Sequence, residues 1–333
     1  MARQLQSAKC RSRLMMGGLL LCFLCAMLMG IVLIVENAGY KKVSFQVNNE
    51  VKTKSTTDHT LCVLVPFRNR FEELLEFAPY LHTFLDRQNV KHKLVVINQQ
   101  DKYRFNRASL INAGFLETRS QCDYIAMHDV DLLPVNNALS YAFPQEGPFH
   151  LAAPHLHPLY HYKTYVGGIL LLQSQHFQML NGLSNRYWGW GREDDEFFVR
   201  MKKAKLKLGR PGNLTTGYMS FRHLHDRLKR PRDQNRFFDQ FEKTRRVDKE
   251  TGVSTVKYTV DSVSELLIGG APVTVINVSL ECDLNLTPWC LQAEDHAWYN
   301  KSVLQQQHSG STRAKSVAAS TRIIPQPPPQ PHE

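Results

Sequence analysis

Two pairs of metal-ligating side chains share one spacing in this sequence. Asp129 and Asp131 lie two positions apart after an apolar run, and His223 and His225 repeat that spacing further along the chain. Residues two apart in an extended chain point to the same face, so each pair can present its ligand atoms together. Two imidazoles with carboxylate oxygen suit Mn²⁺ or Zn²⁺ better than Mg²⁺. The alternatives are that the aspartates cap a turn and that the histidines form an ordinary surface pair.

The stretch WGWGREDDE, residues 188–196, places two tryptophans and two glycines before four carboxylates. Indole faces stack on the C–H faces of sugars, glycine lets the backbone approach a ligand or move, and a carboxylate can take a proton from a hydroxyl. We therefore expect Trp188 and Trp190 to contact a sugar whose hydroxyl points at a carboxylate. The alternative for the acids is structural, because a helix dipole favours acidic residues in the first turn.

Arginines accompany these residues. Arg68, Arg70 and Arg107 lie near the ends of predicted strands or the start of a helix. A divalent cation beside three arginines would bind a diphosphate well, since the cation neutralises the charge that develops as the diphosphate leaves. The sequence therefore predicts a site for a nucleotide-sugar donor.

Strands and helices alternate through the first half of the chain, which predicts an α/β fold with a mostly parallel central sheet covered on both faces. Ligands of such sheets collect at the carboxyl ends of the strands, where the residues above are found. Pro79 is expected to break or restart the first helix. The predicted strands are 61–67, 93–99, 123–129, 165–173, 255–260 and 272–280, the predicted helices are 71–87, 107–117 and 193–204, and 215–225 is predicted to be extended.

An uncharged run of 22 residues spans 14–35. As a helix it would be about 33 Å long, enough to cross the hydrocarbon of a bilayer. Basic residues precede it and Glu36 follows it, so the positive-inside rule predicts a cytosolic N-terminus and a lumenal remainder. The alternative is a signal peptide cleaved near Ala38. We expect a cytosolic tail at 1–13, a transmembrane signal anchor at 14–35, a lumenal stem at 36–59, a catalytic domain at 60–290 and a disordered tail at 291–333.

Four cysteines follow the predicted span, in an oxidising compartment where they can pair. A bridge between Cys282 and Cys290 is favoured because the two close a short loop, whereas Cys62 and Cys122 are either bridged or buried thiols. Sequons occur at four asparagines. Asn277 lies in a strand-like run, so the expected N-glycosylation sites are Asn213, Asn285 and Asn300.

The formal net charge of +11 is concentrated in residues 200–232, where eleven Lys and Arg face one acid, Asp226. Such a segment predicts phosphate or acidic glycan partners, and the alternative is a solvated helix face. The predicted location in the lumen excludes nucleic acid as a partner.

Four motifs in this order resemble the β1,4-galactosyltransferase family: HDVDLLP (128–134), YVGG (165–168), WGWGREDD (188–195) and FRH (221–223). The resemblance covers about residues 60–290. It implies a Golgi type II membrane enzyme with a GT-A fold that uses Mn²⁺ and UDP-galactose. Within the family, the stretch LHPLYHYKTYVGG, the motif RHLHD and Arg192, where most relatives carry glycine, resemble the branch that transfers galactose to xylose on proteoglycan core proteins.

The resemblance also implies residue roles. Asp194 matches the catalytic base, which deprotonates the 4-hydroxyl of xylose in a single inverting displacement. Ser220 stands where other branches place a methionine ligand, and His225 is expected to replace it. The metal ligands would be Asp131, His223 and His225; the donor would be held by Pro66, Phe67, Arg68, Arg70, Phe105, Arg107, Asp129 and Gly168; and the acceptor would be held by Tyr160, His161, Tyr162, Trp190, Arg192, Glu193 and Asp195.

Three alternatives remain for the function. The acceptor of a β1,4-galactosyltransferase can be N-acetylglucosamine instead of xylose, and a lumenal glycan-binding protein can keep the pocket without turnover. The pattern H-x-H-D also begins a motif of dinuclear zinc hydrolases, but Arg227 stands where that motif requires a further histidine.

Overall fold

The computed structural model describes residues 59–214 and 219–303. The predicted cytosolic tail, the span at 14–35, nearly all of the stem and residues 304–333 lie outside these ranges. Within them, no helix has both the length and the apolar character needed to cross a bilayer.

The described residues form nine strands and several helices. The strands are β1 Leu61–Phe67, β2 His92–Gln99, β3 Tyr124–His128, β4 Leu132–Pro134, β5 Phe149–His150, β6 Ile169–Gln173, β7 Phe221–His223, β8 Tyr258–Ile268 and β9 Ala271–Leu280, and the helices used below are α1 Phe71–Arg87, α2 Arg107–Thr118, α3 Ser174–Met179, α4 Glu193–Lys203 and α5 Gln240–Lys243. Seven strands form a central sheet in the order β5-β6-β3-β1-β2-β9-β8, and β4 pairs with β7 in a separate two-stranded sheet.

The large sheet is mixed, which corrects the prediction of a mostly parallel one. Its four central strands, β3-β1-β2-β9, are parallel, as predicted. The three outer pairs are antiparallel. One cause is the tight β8–β9 hairpin, whose turn residues Gly269 and Gly270 have φ of 55° and 89°. Two strands joined by so short a turn can pair only in opposite directions.

Helices cover both faces of the sheet, as expected for strands that are buried throughout. Alternate residues of β1 enter two different hydrophobic clusters, with Val63 on one side and Leu64 on the other. The first cluster includes the buried face of α1, and the second includes residues of α2, α3 and α4. Because β1 is buried on both faces, its sequence is a continuous run of apolar residues.

Pro79 lies inside α1 and does not break it, contrary to the prediction. A proline inside a helix removes one backbone hydrogen bond and costs about 3 kcal/mol. The helix buries Leu74, Phe77 and Leu81 on the same face, and each such side chain contributes about 1.5–3 kcal/mol. Burial of this face therefore outweighs the local cost of the proline.

Two disulfides are present. Cys282–Cys290 is the predicted bridge, and Cys62–Cys122 shows that the other two cysteines are bridged as well. Cys62 lies in β1 and Cys122 immediately precedes β3, so parallel pairing of these strands brings the cysteines to a Cα–Cα distance of 5.7 Å. Closing a loop with a sequence separation of 60 restricts the unfolded chain and stabilises the fold by about 4 kcal/mol.

Packed structure continues beyond the boundary predicted at residue 290. Leu291 is fully buried, and Trp298 and Tyr299 pack against the second hydrophobic cluster. The Tyr299 hydroxyl donates to the Leu284 carbonyl over 3.2 Å. The folded unit therefore includes residues 291–303.

The sequons differ in their surroundings. Asn277 lies within β9, where its amide nitrogen donates to Ser262 Oγ over 2.8 Å. Asn213, Asn285 and Asn300 are exposed, and glycosylation at these three positions stays a prediction.

Candidate active site

A cleft of about 580 Å³ opens at the carboxyl end of the parallel strands, between the ends of β1 and β3 on one side and the start of α4 on the other. Its volume is in the range of small-molecule binding sites. Most of the predicted site residues line it, namely Pro66, Arg68, Arg70, Phe105, Arg107, Asp129, Asp131, Tyr160, Tyr162, Gly168, Trp190, Arg192, Glu193, Asp194, Asp195, His223 and His225.

Phe67 and His161 are not among the residues that line this cleft. Phe67 is the last residue of β1 and packs into the first hydrophobic cluster. His161 is exposed, and its Nδ1 lies 2.9 Å from the Pro154 carbonyl. Phe67 is absent from the cleft because side chains alternate along a strand, so that its neighbours Pro66 and Arg68 point into the cleft and Phe67 points away from it.

The predicted metal ligands converge in the cleft. Pairing of β4 with β7 sets Leu132 opposite His223, and this register brings Asp131 beside both histidines. Asp131 Oδ1 lies 4.0 Å from His223 Nε2, and Asp131 Oδ2 lies 3.5 Å from His225 Nδ1. Residues more than ninety positions apart in sequence therefore meet through a sheet of only two strands.

The chemistry of this cluster fits a divalent cation. Burial, followed by mutual repulsion between the imidazoles in one case and by Arg70 in the other, lowers the pKa of His223 and of His225 to about 4. Both rings are thus neutral at pH 7, as metal ligation requires. Burial and the neighbouring Asp129 raise the pKa of Asp131 to about 6, which favours a nearby positive charge.

Two further observations support that fit. His225 Nε2 is buried and has no hydrogen-bond partner among the described residues. Arg70 Nη1 lies 2.9 Å from His225 Nδ1 and 3.9 Å from Asp131 Oδ2, so a positive charge is already accommodated beside the imidazole and the carboxylate. Asp131, His223 and His225 are therefore suitable to hold Mn²⁺.

Arg107 connects the two sides of the cleft. Its Nε donates to Asp129 Oδ1 over 2.8 Å, and its Nη1 lies 3.7 Å from Glu193 Oε1. Burial alone would lower the pKa of Arg107, but the two carboxylates outweigh it and raise the pKa above its ordinary value. Arg107 is therefore a permanent positive charge between the strand-end aspartates and the start of α4.

Arg68 differs from the other two arginines. Its guanidinium donates to the Tyr103 carbonyl over 2.6 Å and to the Asp101 carbonyl over 2.8 Å. Arg68 lines the cleft, but most of its guanidinium hydrogen-bond donors bind backbone carbonyls of the loop after β2. Its role in binding a diphosphate stays a prediction, which rests on its position in the cleft and not on free hydrogen-bond donors.

Asp194 stands in the first turn of α4, on the wall of the cleft. Burial, followed by the nearby charges of Glu193 and Asp195, raises its pKa to about 8. A Cβ added to Gly167 would lie 2.8 Å from Asp194 Oδ2 and 2.7 Å from Tyr165 Cε2, so a side chain there would displace the carboxylate or the tyrosine ring. A carboxyl group with a pKa near neutrality is suited to accept a proton from a hydroxyl.

The residue before this helix carries backbone strain. Arg192 is its N-cap and has a φ of 81°, in the left-handed region that favours glycine. A non-glycine residue in such a conformation costs on the order of 1–3 kcal/mol. This geometry marks Arg192 as a residue whose backbone conformation lowers the stability of the fold.

Only one of the two tryptophans faces the cleft. Trp190 is 40% exposed, whereas Trp188 is 3% exposed and packs in the second hydrophobic cluster. The expectation that both indoles contact a sugar is therefore wrong for Trp188. Alternation about the left-handed Gly189, with a φ of 83°, turns the two indoles apart.

Sequence reasoning missed several residues of the cleft. The rings of His157 and Tyr165 pack against Tyr160 in tilted arrangements, at ring-centroid distances of 4.9 Å and 5.1 Å. Arg232 lies over both Trp190 and Tyr160, with its guanidinium carbon 4.7 Å and 5.5 Å from their ring centroids. The density of aromatic residues in LHPLYHYKTY was the available signal for His157 and Tyr165. Nothing local distinguished Arg232 from the other basic residues of its segment.

The basic segment 200–232 does not form one charged face. Three of its basic residues form ion pairs with acidic side chains, and one of the three is buried. These pairs are Arg200–Glu196 on α4, Lys207–Glu146 and Arg222–Glu76, and Arg200 is the buried member. Other members, Lys229, Arg230 and Arg232, line the cleft. Neither a single polyanion-binding surface nor a single solvated helix face describes the segment.

Comparisons with known proteins agree with this geometry. A family model described as the N-terminal region of glycosyl transferase group 7 matches residues 33–144, and one described as the N-terminal domain of galactosyltransferase matches residues 147–224. Beta-1,4-galactosyltransferase 7 of Mus musculus is 63% identical over 70% of this chain and 71% of its own length. The xylosylprotein 4-beta-galactosyltransferase of Caenorhabditis elegans is 45% identical over 85% of this chain and 99% of its own length.

A crystal structure of a mutant Drosophila β1,4-galactosyltransferase 7, in complex with manganese, UDP-Gal and xylobiose, superposes with a TM-score of 0.69 at 54% identity. The match covers 71% of this chain and 100% of that one. The mixed sheet and the cleft at its strand ends thus define a GT-A-like glycosyltransferase. The two family models together match more than half of the sequence, and the chain belongs to the β1,4-galactosyltransferase family.

Proposed function

We propose that this protein transfers galactose from UDP-galactose to the 4-hydroxyl of β-xylose on proteoglycan core proteins, with inversion at the anomeric carbon. The observation that carries the proposal is the pairing, within one cleft, of a carboxyl group of raised pKa, Asp194, with the cluster of Asp131, His223 and His225. A base on one wall and a cation site on the other suit a single displacement. A relative named xylosylprotein 4-beta-galactosyltransferase, and a neighbour crystallised with UDP-Gal and xylobiose, support the choice of donor and acceptor.

On the acceptor side, aromatic rings would bind the sugar while its attacking hydroxyl faces Asp194. Trp190 and Tyr162 are exposed at the cleft, and each offers a ring face to the C–H groups of a pyranose. Asp194 takes the proton of the attacking hydroxyl, and Glu193 and Asp195 keep its pKa high enough for that task. Glu193 also binds Arg107, so the base is positioned relative to the donor side through an ion pair.

On the donor side, Arg70 and Arg107 supply fixed positive charge near the position expected for the diphosphate. Asp131, His223 and His225 would hold Mn²⁺, and the bound ion would supply positive charge to the departing UDP. No acidic group is then needed to protonate the leaving group. Asp194 then serves as the general base of the transfer.

The predicted membrane topology belongs to the same proposal. We infer that residues 14–35 anchor the protein in the Golgi membrane as a single-pass type II protein with its catalytic domain in the lumen. The uncharged run and the basic residues before it support this inference. The two disulfides are consistent with an oxidising compartment.

A transfer assay tests the function directly. The lumenal fragment, residues 60–333, is offered UDP-galactose with a β-xyloside or a β-N-acetylglucosaminide, each with Mn²⁺ or with EDTA. We expect a galactosyl-xyloside only when Mn²⁺ is present. Transfer to the glucosaminide alone would overturn the acceptor assignment, release of free galactose without a glycoside would favour a hydrolase, and UDP binding without product would favour a glycan-binding protein.

The raised pKa of Asp194 predicts the pH dependence of this reaction. Only the carboxylate accepts a proton, so kcat/KM for the xyloside should rise with pH and level off above about 8. Below the pKa it should fall about tenfold per pH unit. Asp195→Asn removes a neighbouring negative charge and should move the profile to lower pH. A profile without an acidic limb, measured at saturating Mn²⁺ and UDP-galactose, would contradict this account.

A further inference from the structure

Arg104 is a buried charged residue that the mechanism above does not use. It lies in the loop after β2, and its side chain is 1% exposed. Its Nε donates to Asp233 Oδ2 over 2.6 Å, its Nη1 to the Trp289 carbonyl over 2.9 Å, and its Nη2 to the Asn235 carbonyl over 2.8 Å. A fourth bond from Nη1 reaches Gln240 Oε1 over 3.1 Å. One guanidinium thus ties the segment 233–240 to the core.

The segment that Arg104 holds is hydrogen-bonded to residues 188–191, called the tryptophan loop below. The backbone N–H of Trp190 donates to the Asp233 carbonyl over 2.7 Å, and Arg236 Nη2 donates to the Trp190 carbonyl over 2.9 Å. Gln240 Nε2 donates to the Trp188 carbonyl over 2.7 Å. Both backbone groups of the exposed tryptophan are therefore bonded to a segment whose own position depends on Arg104.

Arg104 also touches the tryptophan loop directly. A Cβ added to Gly189 would lie 2.1 Å from Arg104 Nη2 and 3.2 Å from the Asp233 carbonyl oxygen. The Gly189 N–H donates to the carbonyl of Phe105, the residue after Arg104, over 2.9 Å. The backbone at Gly189 is therefore packed on the guanidinium, and a side chain there would displace it.

Arg232 immediately precedes this segment in the chain, next to Asp233. Its guanidinium lies over the rings of Trp190 and Tyr160, two residues expected to hold the acceptor. A shift of Asp233 would move Arg232 and Trp190 together, because one precedes Asp233 in sequence and the other is bonded to its carbonyl.

We propose that Arg104 is a positioning residue that fixes the tryptophan loop and the segment 233–240, together with the preceding Arg232, against each other, and thereby sets the acceptor side of the cleft. The inference rests on the proposed galactosyl transfer. A planar guanidinium with donors in several directions serves four oxygen acceptors here, which a lysine ammonium with three donors on a flexible stem cannot reproduce. Its effect is expected on the acceptor, since Trp190, Tyr160 and Arg232 lie on that side of the cleft.

Arg104→Lys tests the inference, because it keeps the positive charge and removes the planar guanidinium with its several hydrogen-bond donors. The KM for the β-xyloside should rise by about tenfold or more, since small displacements of a positioning group have effects of this size, while the KM for UDP-galactose stays within about twofold. The ratio of UDP-galactose hydrolysis to transfer should also rise at a fixed xyloside concentration, because a displaced loop excludes water less well.

Asp233→Asn is the second variant and is chosen to fold if Arg104→Lys does not. The Asp233 side chain is 36% exposed, and the backbone carbonyl that binds Trp190 is retained. We expect a smaller rise in xyloside KM in the same direction.

Arg200→Lys is the matched control. Arg200 is 8% exposed and, like Arg104, bonds a carboxylate and several backbone carbonyls, here those of Gly182, Asp248 and Thr251. This variant should lose thermal stability while its xyloside KM stays at the wild-type value. The comparison separates a general loss of a buried arginine from the specific effect on the acceptor side.

Two results would overturn the inference. If Arg104→Lys and Asp233→Asn both keep the wild-type xyloside KM and hydrolysis ratio, Arg104 serves stability alone while the proposed transfer stands. If the wild-type protein transfers no galactose to the xyloside, the proposed function fails and this inference fails with it.

Discussion

Asp194→Asn is expected to lower kcat for galactosyl transfer to a β-xyloside by about a thousandfold, the range of general-base removal. The amide is nearly the same size as the carboxyl group but cannot accept the proton of the attacking hydroxyl. Binding of UDP with Mn²⁺ should be retained, because Asp194 stands in the first turn of α4, on the wall opposite the cluster of Asp131, His223 and His225. Steady-state kinetics and calorimetric titration with UDP measure the two quantities separately.

Asp195→Asn is the control for this result. It makes the same chemical change at the next residue of the same helix, where the side chain bonds Tyr162 instead of facing the reacting hydroxyl. We expect its effect to fall mainly on the acceptor KM and to be much smaller on kcat. If Asp194→Asn retained turnover comparable to that of Asp195→Asn, Asp194 would have to be removed from the role of base.

Asp131→Asn is expected to weaken Mn²⁺ binding and to lower kcat/KM at fixed Mn²⁺ by at least about a hundredfold. Loss of outer-shell partners alone costs about 10–100-fold, and Asp131 is the proposed carboxylate ligand itself. It is also the group that joins His223 and His225 in the cleft. Titration of the rate with Mn²⁺, together with direct measurement of Mn²⁺ binding, tests this expectation.

A second His–Asp–His cluster provides the control for the metal experiment. Asp86 lies with His82 and His92 at the end of α1 and the start of β2, and the ligand atoms of the three lie within 4.8 Å of one another. His82 Nδ1 and His92 Nε2 are already 2.8 Å apart in a hydrogen bond. Asp86→Asn should leave the Mn²⁺ dependence of the rate unchanged. An Asp131→Asn enzyme with wild-type Mn²⁺ dependence would instead show that the catalytic ligands lie elsewhere.

Much of the site was accessible from local sequence because its members sit at predictable points of the fold. Alternating strands and helices predicted the carboxyl edge of the sheet, and Pro66, Asp129 and Asp131 lie at that edge. The start of α4 was predicted at its observed first residue, Glu193, because four acids mark a helix N-terminus. Patterns of this kind are local, since they depend on the periodicity and charge of a few neighbouring residues.

Other predictions failed where distant residues compete. Pro79 stays inside α1 because burial of one helix face outweighs a missing hydrogen bond. Trp188, which was expected to contact a sugar, is buried while Trp190 is exposed. Neither outcome depends on the identity of the immediate neighbours alone.

By itself, the sequence determined which chemistry is available: the ligand pairs, the acidic first turn and the aromatic stretches all have short-range signatures. The tertiary structure alone decided how those groups meet. Pairing of β4 with β7 brings Asp131 to His223, and the buried hydrogen bonds of Arg104 join Trp190 to the segment that carries Arg232. Contacts between residues about ninety or more positions apart are set by packing and burial summed over the whole domain, and no local pattern encodes them.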